Sequence, residues 1–357
     1  MKIATVAVTD FRSYAEYSLT LSAPTTLLYG PNGCGKTNLL EAMYLASVGK
    51  SPRTSHDRLM IRHNAESAAV RVDFTRHEVA QKIQINVYKN KRKEMWINAT
   101  PVRQKELVGT LHTVYFGPDD LQLIKGSPQG RRRFLDLSLA RANSLYYDAL
   151  LRYNRILAQR NQLLKAQRAV DLAPWDEQLA TQAVYITNAR MQALEEWNRL
   201  VGPTSQTWSA GDLNVHLKYL RFYAKCEDIS KEEYLHLYKE TLERDLKSGF
   251  TSIGPHRADV VFYHEDKNLA DYGSQGEQRL AILALKLSET TYLKEHVGEL
   301  PVLLLDDVLS ELDEERQQEL LRWTADRQLQ LIMTAAYRPN RLPEPVDMRC
   351  LEKSHGA

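Results

Sequence analysis

Gly30-Pro31-Asn32-Gly33-Cys34-Gly35-Lys36-Thr37 matches GxxxxGK[ST] at every fixed position, and no other stretch constrains the fold of this chain as tightly. Residues 25–29, rich in Thr and Leu, read as a strand that enters the motif. Residues 38–45 leave it as a helix, with Leu40/Tyr44 and Leu39/Met43 at i, i+4. Strand, glycine turn and helix in that order form an anion cradle. The glycines let backbone N–H groups curl around phosphate oxygens, and the helix points its positive end at the same charge. Gly30 through Thr37, with Asn38, is therefore the expected nucleotide-binding segment. Lys36 would reach the β- and γ-phosphates, and Thr37 would offer a hydroxyl to Mg²⁺. Cys34 fills a variable position and reads as a small tolerated side chain rather than a redox switch.

A second half of such a site lies far along the chain. Residues 301–305 are a continuous apolar run that ends in Asp306-Asp307, as a buried parallel strand would. Acids at the C-terminal end of such a strand sit where open α/β sheets bind ligands. Asp306 is expected to hold Mg²⁺, directly or through water. Asp307 is expected to orient or deprotonate an attacking water, so that Lys36, Asp306 and Asp307 form the catalytic set for ATP or GTP. The plainer alternative for the aspartates is a pair of helix caps. Ser274-Gln275-Gly276 precedes a helix and this strand, and Ser310-Glu311-Leu312-Asp313 follows it. That order resembles the ABC-type ATPases, in which two heads sandwich two nucleotides. The resemblance implies that Ser274, Gln275 and Gly276 contact the γ-phosphate held by a partner head, and that Ser310 and Asp313 form the D-loop. Ser274 and the Gly276 N–H at a helix start are physically an anion site; the alternative is an ordinary helix cap.

The rest of the chain reads as one α/β domain built from both chain ends, with a mainly helical lobe inserted. The expected boundaries are 1–125 for the N-terminal part of the head, 126–249 for the lobe and 250–357 for the C-terminal part. Strands are expected at 3–8, 68–75, 82–88, 96–98, 301–305 and 329–335. Helical spacing runs from 131 to 201, split by Pro174 into an antiparallel pair, and returns at 275–295. The apolar repeat is too short for a long coiled coil. With 43% hydrophobic and 26% charged residues, the composition excludes a mostly disordered chain, and no apolar run of membrane-spanning length occurs. Cys34, Cys226 and Cys350 are scattered without metal spacing, which fits a reducing cytoplasm.

Net charge is only +2, yet residues 121–170 carry ten Lys/Arg against two Asp, a local +8. Such a block is either a solvated helical face or a footprint for a polyanion. Arg152 with Arg155, or Arg141 with Arg152, would share a helical stripe able to bind phosphates. Arg131, Arg132 and Arg133 lie in a row and cannot all face one way. Arg131 is a DNA-binding candidate with Arg152 and Arg155, or else a structural ion-pair partner at the lobe boundary.

Across nearly its whole length the chain resembles the RecF proteins, bacterial recombination-repair ATPases of the SMC/Rad50-like group. The matching stretches are Phe11-Arg12-Ser13-Tyr14, Gly30 to Ala42, Arg53-Thr54 with Asp57, Phe116 to Leu121, Lys125 to Pro128 and Arg131 to Asp136. Tyr153 to Leu157, Arg160-Asn161, Gly254 to Asp259, Gly273 to Gly276, Leu305 to Val308 and Ser310 to Asp313 also match. The resemblance implies a weak, DNA-stimulated ATPase that uses ATP and Mg²⁺ and dimerises head to head around DNA. It implies action in repair and replication at double-stranded, gapped or junction DNA, with RecR and RecO as partners and without a membrane. Family position alone singles out Arg12 and Arg53, either as contacts with nucleotide or DNA or as ordinary surface charges. Three departures stand out: Glu277 where the family more often has Gln, Asp307 where transporters carry Glu, and Thr334 near the place of the switch His of many ABC ATPases. An acid at 277 would weaken an ATP-held dimer unless it faces solvent. Together with Asp307, whose shorter carboxylate reaches less far than the transporters' Glu, it motivates an alternative reading: a DNA-binding scaffold whose head holds nucleotide but barely hydrolyses it. An ABC transporter subunit is disfavoured by the missing His and by the Arg-rich lobe.

Overall fold

The structure, a computed structural model, describes residues 1–221, 230–338 and 346–352; Cys226 lies outside them. In chain order the strands are β1 (Lys2–Phe11), β2 (Tyr14–Thr20), β3 (Thr25–Tyr29), β4 (Ser67–Arg76), β5 (Val79–Tyr88), β6 (Glu94–Ile97) and β7 (Thr100–Val102). They continue with β8 (Thr113–Phe116), β9 (Val215–Leu220), β10 (Asp259–His264), β11 (Lys267–Asn268), β12 (Val302–Leu305), β13 (Leu331–Ala335) and β14 (Asp347–Cys350). The helices are α1 (Lys36–Val48), α2 (Gln104–Leu107), α3 (Gln122–Lys125), α4 (Pro128–Ala142), α5 (Ser144–Lys165) and α6 (Ala173–Trp208). They end with α7 (Lys231–Glu240), α8 (Leu242–Ser248), α9 (Leu269–Tyr272), α10 (Gln275–Val297) and α11 (Glu314–Asp326). No helix among the described residues is long and apolar enough to cross a membrane.

Two compact units result. The first comprises residues 1–120 and 289–357, and the second residues 121–288. The first unit holds two sheets. One is antiparallel, in the order β2-β1-β4-β5-β6-β7; the other is parallel, in the order β14-β3-β13-β12-β8. The antiparallel sheet shows the expected one-sided alternation: Val6, Val8, Val70, Val72, Ile83 and Ile85 are buried. The parallel strands β12 and β13 are buried at every position, as strands covered on both faces must be. Helix α1 contributes Leu39, Leu40, Met43 and Ala46 to the same core as both sheets. The sequence misses β2: Phe11-Arg12-Ser13-Tyr14 is the turn of the β1–β2 hairpin, with Phe11 paired to Tyr14 and Arg12 at φ 54°. In the parallel sheet β13 separates β3 from β12, so the glycine motif and the aspartate pair leave the same end one strand apart.

The second unit packs α4 to α8 with a three-stranded sheet in the order β11-β10-β9. The expected first helical run is two helices. Asn143 stops α4 and starts α5, its side chain accepting from the N–H groups of Leu145 and Tyr146. Pro174 stands in the first turn of α6, where a missing N–H costs nothing. Residues 250–288, expected from sequence in the C-terminal part of the head, group with this unit because β10 pairs along its length with β9. The boundary at 288/289 falls inside α10.

Candidate nucleotide site

The glycine motif closes the gap between β3 and α1. Gly35 stands at the start of α1 with φ 106°, and no side chain caps the helix. An added Cβ at Gly35 would lie 2.4 Å from the Tyr14 hydroxyl, so glycine is required there by space as well as by φ. At Gly33 (φ 83°) the same Cβ would meet nothing within 4 Å, so only its left-handed backbone demands glycine. Uncapped first-turn N–H groups are what an anion needs at a helix start. Lys36 is buried, and its ammonium donates to the carbonyls of Gly30 at 2.7 Å and Pro31 at 3.0 Å. Cys34 is a buried free thiol with its sulfur 3.8 Å from the same ammonium; Cys350 is free and exposed.

The two sequence halves meet at Asp306. The Thr37 hydroxyl donates to Asp306 Oδ1 at 2.9 Å, across 269 positions of chain. The Thr334 hydroxyl donates to the same oxygen at 2.9 Å, and the Tyr115 phenol donates to Oδ2 at 2.9 Å. Burial, and after it the Asp306 charge, pushes the Tyr115 phenol far above its ordinary range, so it stays protonated and donates. Asp307 adopts a left-handed backbone, φ 57° and ψ 21°, held by its own N–H donating to Thr334 Oγ1 at 2.8 Å. Its Oδ1 is buried and has no hydrogen-bond partner. Ser310 Oγ donates to the Asp307 carbonyl at 2.7 Å, and Asp313 caps α11 by accepting from the Arg316 N–H, which lowers its carboxyl below the usual range.

This donor set fits Mg²⁺. Thr37 and Asp306 offer hard oxygens already in contact, and Asp307 Oδ1 is a buried carboxylate oxygen still seeking a donor.

A second polar cluster lies one turn further along α1. Glu41 is fully buried and accepts two bonds from Arg12, at 2.9 and 2.6 Å, one from Arg53 at 3.3 Å and one from Ser51 at 2.5 Å. Arg53 also donates to Asn38 Oδ1 at 3.1 Å, and the Asn38 amide donates to Ser13. Two guanidiniums share one carboxylate, which leaves one positive charge in excess beside the motif. Sequence reasoning placed Arg12 and Arg53 by resemblance and missed their common anchor. Tyr115 was missed as well, and Thr334 was noted only for the histidine it is not. Glu41 was legible as an acid at the fifth position after Lys36, but nothing local marks it as buried.

The remaining candidates lie in the second unit. Ser274 and Glu277 form a capping box. The Ser274 hydroxyl accepts from the Glu277 N–H at 3.2 Å, and the Glu277 carboxylate accepts from the Ser274 N–H at 2.6 Å. That backbone bond is the main reason the Glu277 carboxyl lies below its usual range. The acid at 277 therefore turns back onto its own helix start. Ser274, Gln275 and Gly276 are exposed. Arg131 departs from the DNA-contact expectation: its side chain is only 10% exposed, paired with Asp259 by two bonds of 2.8 Å and donating to the Gly126 carbonyl at 2.7 Å. Arg132 donates to the Ala258 carbonyl, and Arg141 is buried, which removes the 141–152 stripe. Arg133, Arg152 and Arg155 are exposed.

The RecF/RecN/SMC N terminal domain family matches residues 2–342. The protein described as DNA replication and repair protein RecF from Clostridium botulinum (strain Loch Maree / Type A3) is 39% identical over 326 residues, 90% of this chain and 89% of that one. Its counterpart from Agathobacter rectalis is 38% identical over 334 residues, 92% of this chain and 91% of the other. Among solved structures, the recombination mediator protein RecF with ATP, of the RecFOR pathway, superposes with a TM-score of 0.90 at 30% identity, covering 97% of this chain and 95% of that one. An Smc head bound to the C-terminal winged-helix domain of ScpA shares the fold at a TM-score of 0.53 and 19% identity, over 94% of this chain and 90% of that one.

Proposed function

This chain belongs to the RecF family, within the RecF/RecN/SMC N terminal domain group, and we propose that it is an ATP-binding, ATP-hydrolysing protein of DNA replication and repair that dimerises head to head on DNA when ATP is bound. One observation carries the reading: the Thr37–Asp306 hydrogen bond of 2.9 Å, which joins the glycine motif to the aspartate strand in one polar centre. The P-loop backbone and Lys36 would hold the phosphates, with the lysine exchanging loop carbonyls for phosphate oxygens. Mg²⁺ held by Thr37 and Asp306 would neutralise phosphate charge. Asp307 would accept a hydrogen bond from an attacking water, and its unpartnered buried oxygen supports that role. Arg12 and Arg53 would add positive charge close to Asn38. Ser274, Gln275 and Gly276 would meet the γ-phosphate of a second copy, and Ser310 and Asp313 would line the same junction. Gapped or junction DNA, slow hydrolysis stimulated by DNA, and RecR- and RecO-type partners complete the proposal, and a reducing cytoplasm is its proposed compartment.

The scaffold alternative drew on Glu277 as a repulsive charge and on the short reach of Asp307; the capping bonds of Glu277 to Ser274 weaken the first support and leave the second. Particle mass in solution tests the dimer directly. Mass should double with Mg-ATP in the wild type and stay at 41.0 kDa with Lys36→Arg. An unchanged mass at saturating ATP with gapped DNA present would overturn the clamp and favour the scaffold.

A further inference from the structure

We infer that Thr334 is a positioning residue that locks the two acids of the aspartate pair into one unit and sets the backbone from which Asp307 works. The inference rests on the ATPase reading above and goes beyond it by assigning a role to the threonine that stands near the place of the switch His. Thr334 is 1% exposed, near the end of β13. Strand β13 runs parallel to β12, with Met333 paired to Leu305, so the next residue on each strand is Thr334 and Asp306.

A threonine hydroxyl has one proton to give and lone pairs to receive. Here both capacities are committed to the aspartate pair. The proton goes to Asp306 Oδ1 at 2.9 Å, and a lone pair takes the Asp307 N–H at 2.8 Å. The second bond falls on a residue that needs it. Asp307 lies at φ 57°, a left-handed conformation that costs most side chains energy and that aspartate tolerates better than most, and the bond to Thr334 helps hold it there. That turn of the backbone directs the carboxylate whose Oδ1 is buried and unpartnered. The first bond acts on the other acid. Thr334 and Thr37 both donate to Asp306 Oδ1. If Thr37 turns its oxygen toward a metal ion, Thr334 remains as the donor that keeps this carboxylate oriented. The Thr334 hydroxyl is bonded to the two acids, so its action on a nucleotide is indirect, through Asp306 and the Asp307 backbone.

Thr334→Val keeps the shape and removes the hydroxyl; Thr334→Ser restores it without the methyl group. Two readouts separate this proposal from the function it rests on. The first needs no nucleotide: hydrogen exchange at the Asp307 amide should be at least about tenfold faster in Thr334→Val than in wild type and unchanged in Thr334→Ser. The second is steady-state hydrolysis beside equilibrium binding of a fluorescent ATP analogue. In Thr334→Val, kcat should fall about 10- to 100-fold with the binding constant within about threefold, and Thr334→Ser should recover most of the rate. Equal amide exchange in all three proteins would overturn the inference, whatever the hydrolysis rates. So would a Thr334→Val enzyme with wild-type kcat, or a rate loss matched by an equal loss of binding. A wild type that binds the analogue but hydrolyses no ATP would instead sink the ATPase reading, and the exchange result would still decide the Thr334–Asp307 link.

Discussion

At the scale of single residues, the site is an oxygen-rich centre in which Asp306 is shared by three hydroxyls from three separate segments: Thr37, Tyr115 and Thr334. Tyr115 is the most consequential of those the sequence left unmarked. Its ring lies 5.6 Å from that of Tyr44 on α1, and its hydroxyl supports the side of Asp306 that the threonines do not reach. Tyr115→Phe leaves the ring packing in place and strands a buried carboxylate oxygen. Urea unfolding should show a loss of about 1–3 kcal/mol, the usual cost of an orphaned buried acceptor. A variant as stable as wild type would mean that water replaces the phenol. Local pattern revealed Thr37 and Asp306, because each belongs to a motif with a fixed spacing. Tyr115 and Thr334 were illegible because their partner is 191 and 28 residues away and neighbouring residues give no hint of a shared acceptor. Glu277 differs: a Ser followed three residues later by Glu is a capping-box pattern, and the helix-cap alternative read from the sequence is the arrangement these two residues adopt.

At the scale of elements, the strands and helices that carry the motifs follow from periodicity, while their partners do not. Continuous apolar runs gave β12 and β13, and i, i+4 pairs gave α1. Strand β10 was unexpected because its role depends on pairing with β9, some 40 positions earlier. The turn before β10 carries a pH-dependent element. His256 Nε2 donates to the Thr251 carbonyl at 3.0 Å, so Nδ1 is the acceptor for the Tyr153 hydroxyl at 2.6 Å. Burial, opposed by the Thr251 bond and reinforced by Arg257, Arg132 and Arg190, lowers the imidazole from 6.5 to about 4. The folded state thus holds the ring neutral, while the unfolded chain takes a proton below about pH 6.5. Stability from this group is complete above pH 6.5 and declines as pH falls toward 4, by about 2 kcal/mol between pH 7 and pH 5. Urea midpoints at these two pH values should differ by more in wild type than in His256→Asn, which has no such proton to gain. Parallel pH dependences in the two proteins would remove His256 as the cause.

At the scale of the whole molecule, the question is which charges are free to meet a polyanion. The sequence offers a block of +8 between residues 121 and 170, but fold and function divide it. Arg131 is spent on Asp259, Arg160 on Asp176 and Asp245, and Arg141 is buried. Arg152 and Arg155 stand exposed three residues apart on α5, so they lie on one face of that helix. If this face binds DNA phosphates, each arginine displaces about one condensed counterion. The logarithm of the binding constant should then fall with the logarithm of salt concentration by about 0.9 per contact. Anisotropy titrations of duplex and gapped DNA across a salt series, with Mg-ATP, should give a slope about 0.9 shallower for either Arg152→Ala or Arg155→Ala and nearly twice that for the pair. The loss should be similar on both DNAs, because phosphate contacts do not read sequence, and preference for gaps would have to come from dimer geometry. Arg131→Ala serves as the contrast. It removes both guanidinium bonds to Asp259, leaving its Oδ1 only the Val260 N–H, and should lower the unfolding midpoint while leaving the salt slope of the surviving folded protein unchanged. Should the double variant keep the wild-type slope, the DNA path would not cross this face of α5, and the charge there would be the solvated surface of a helix.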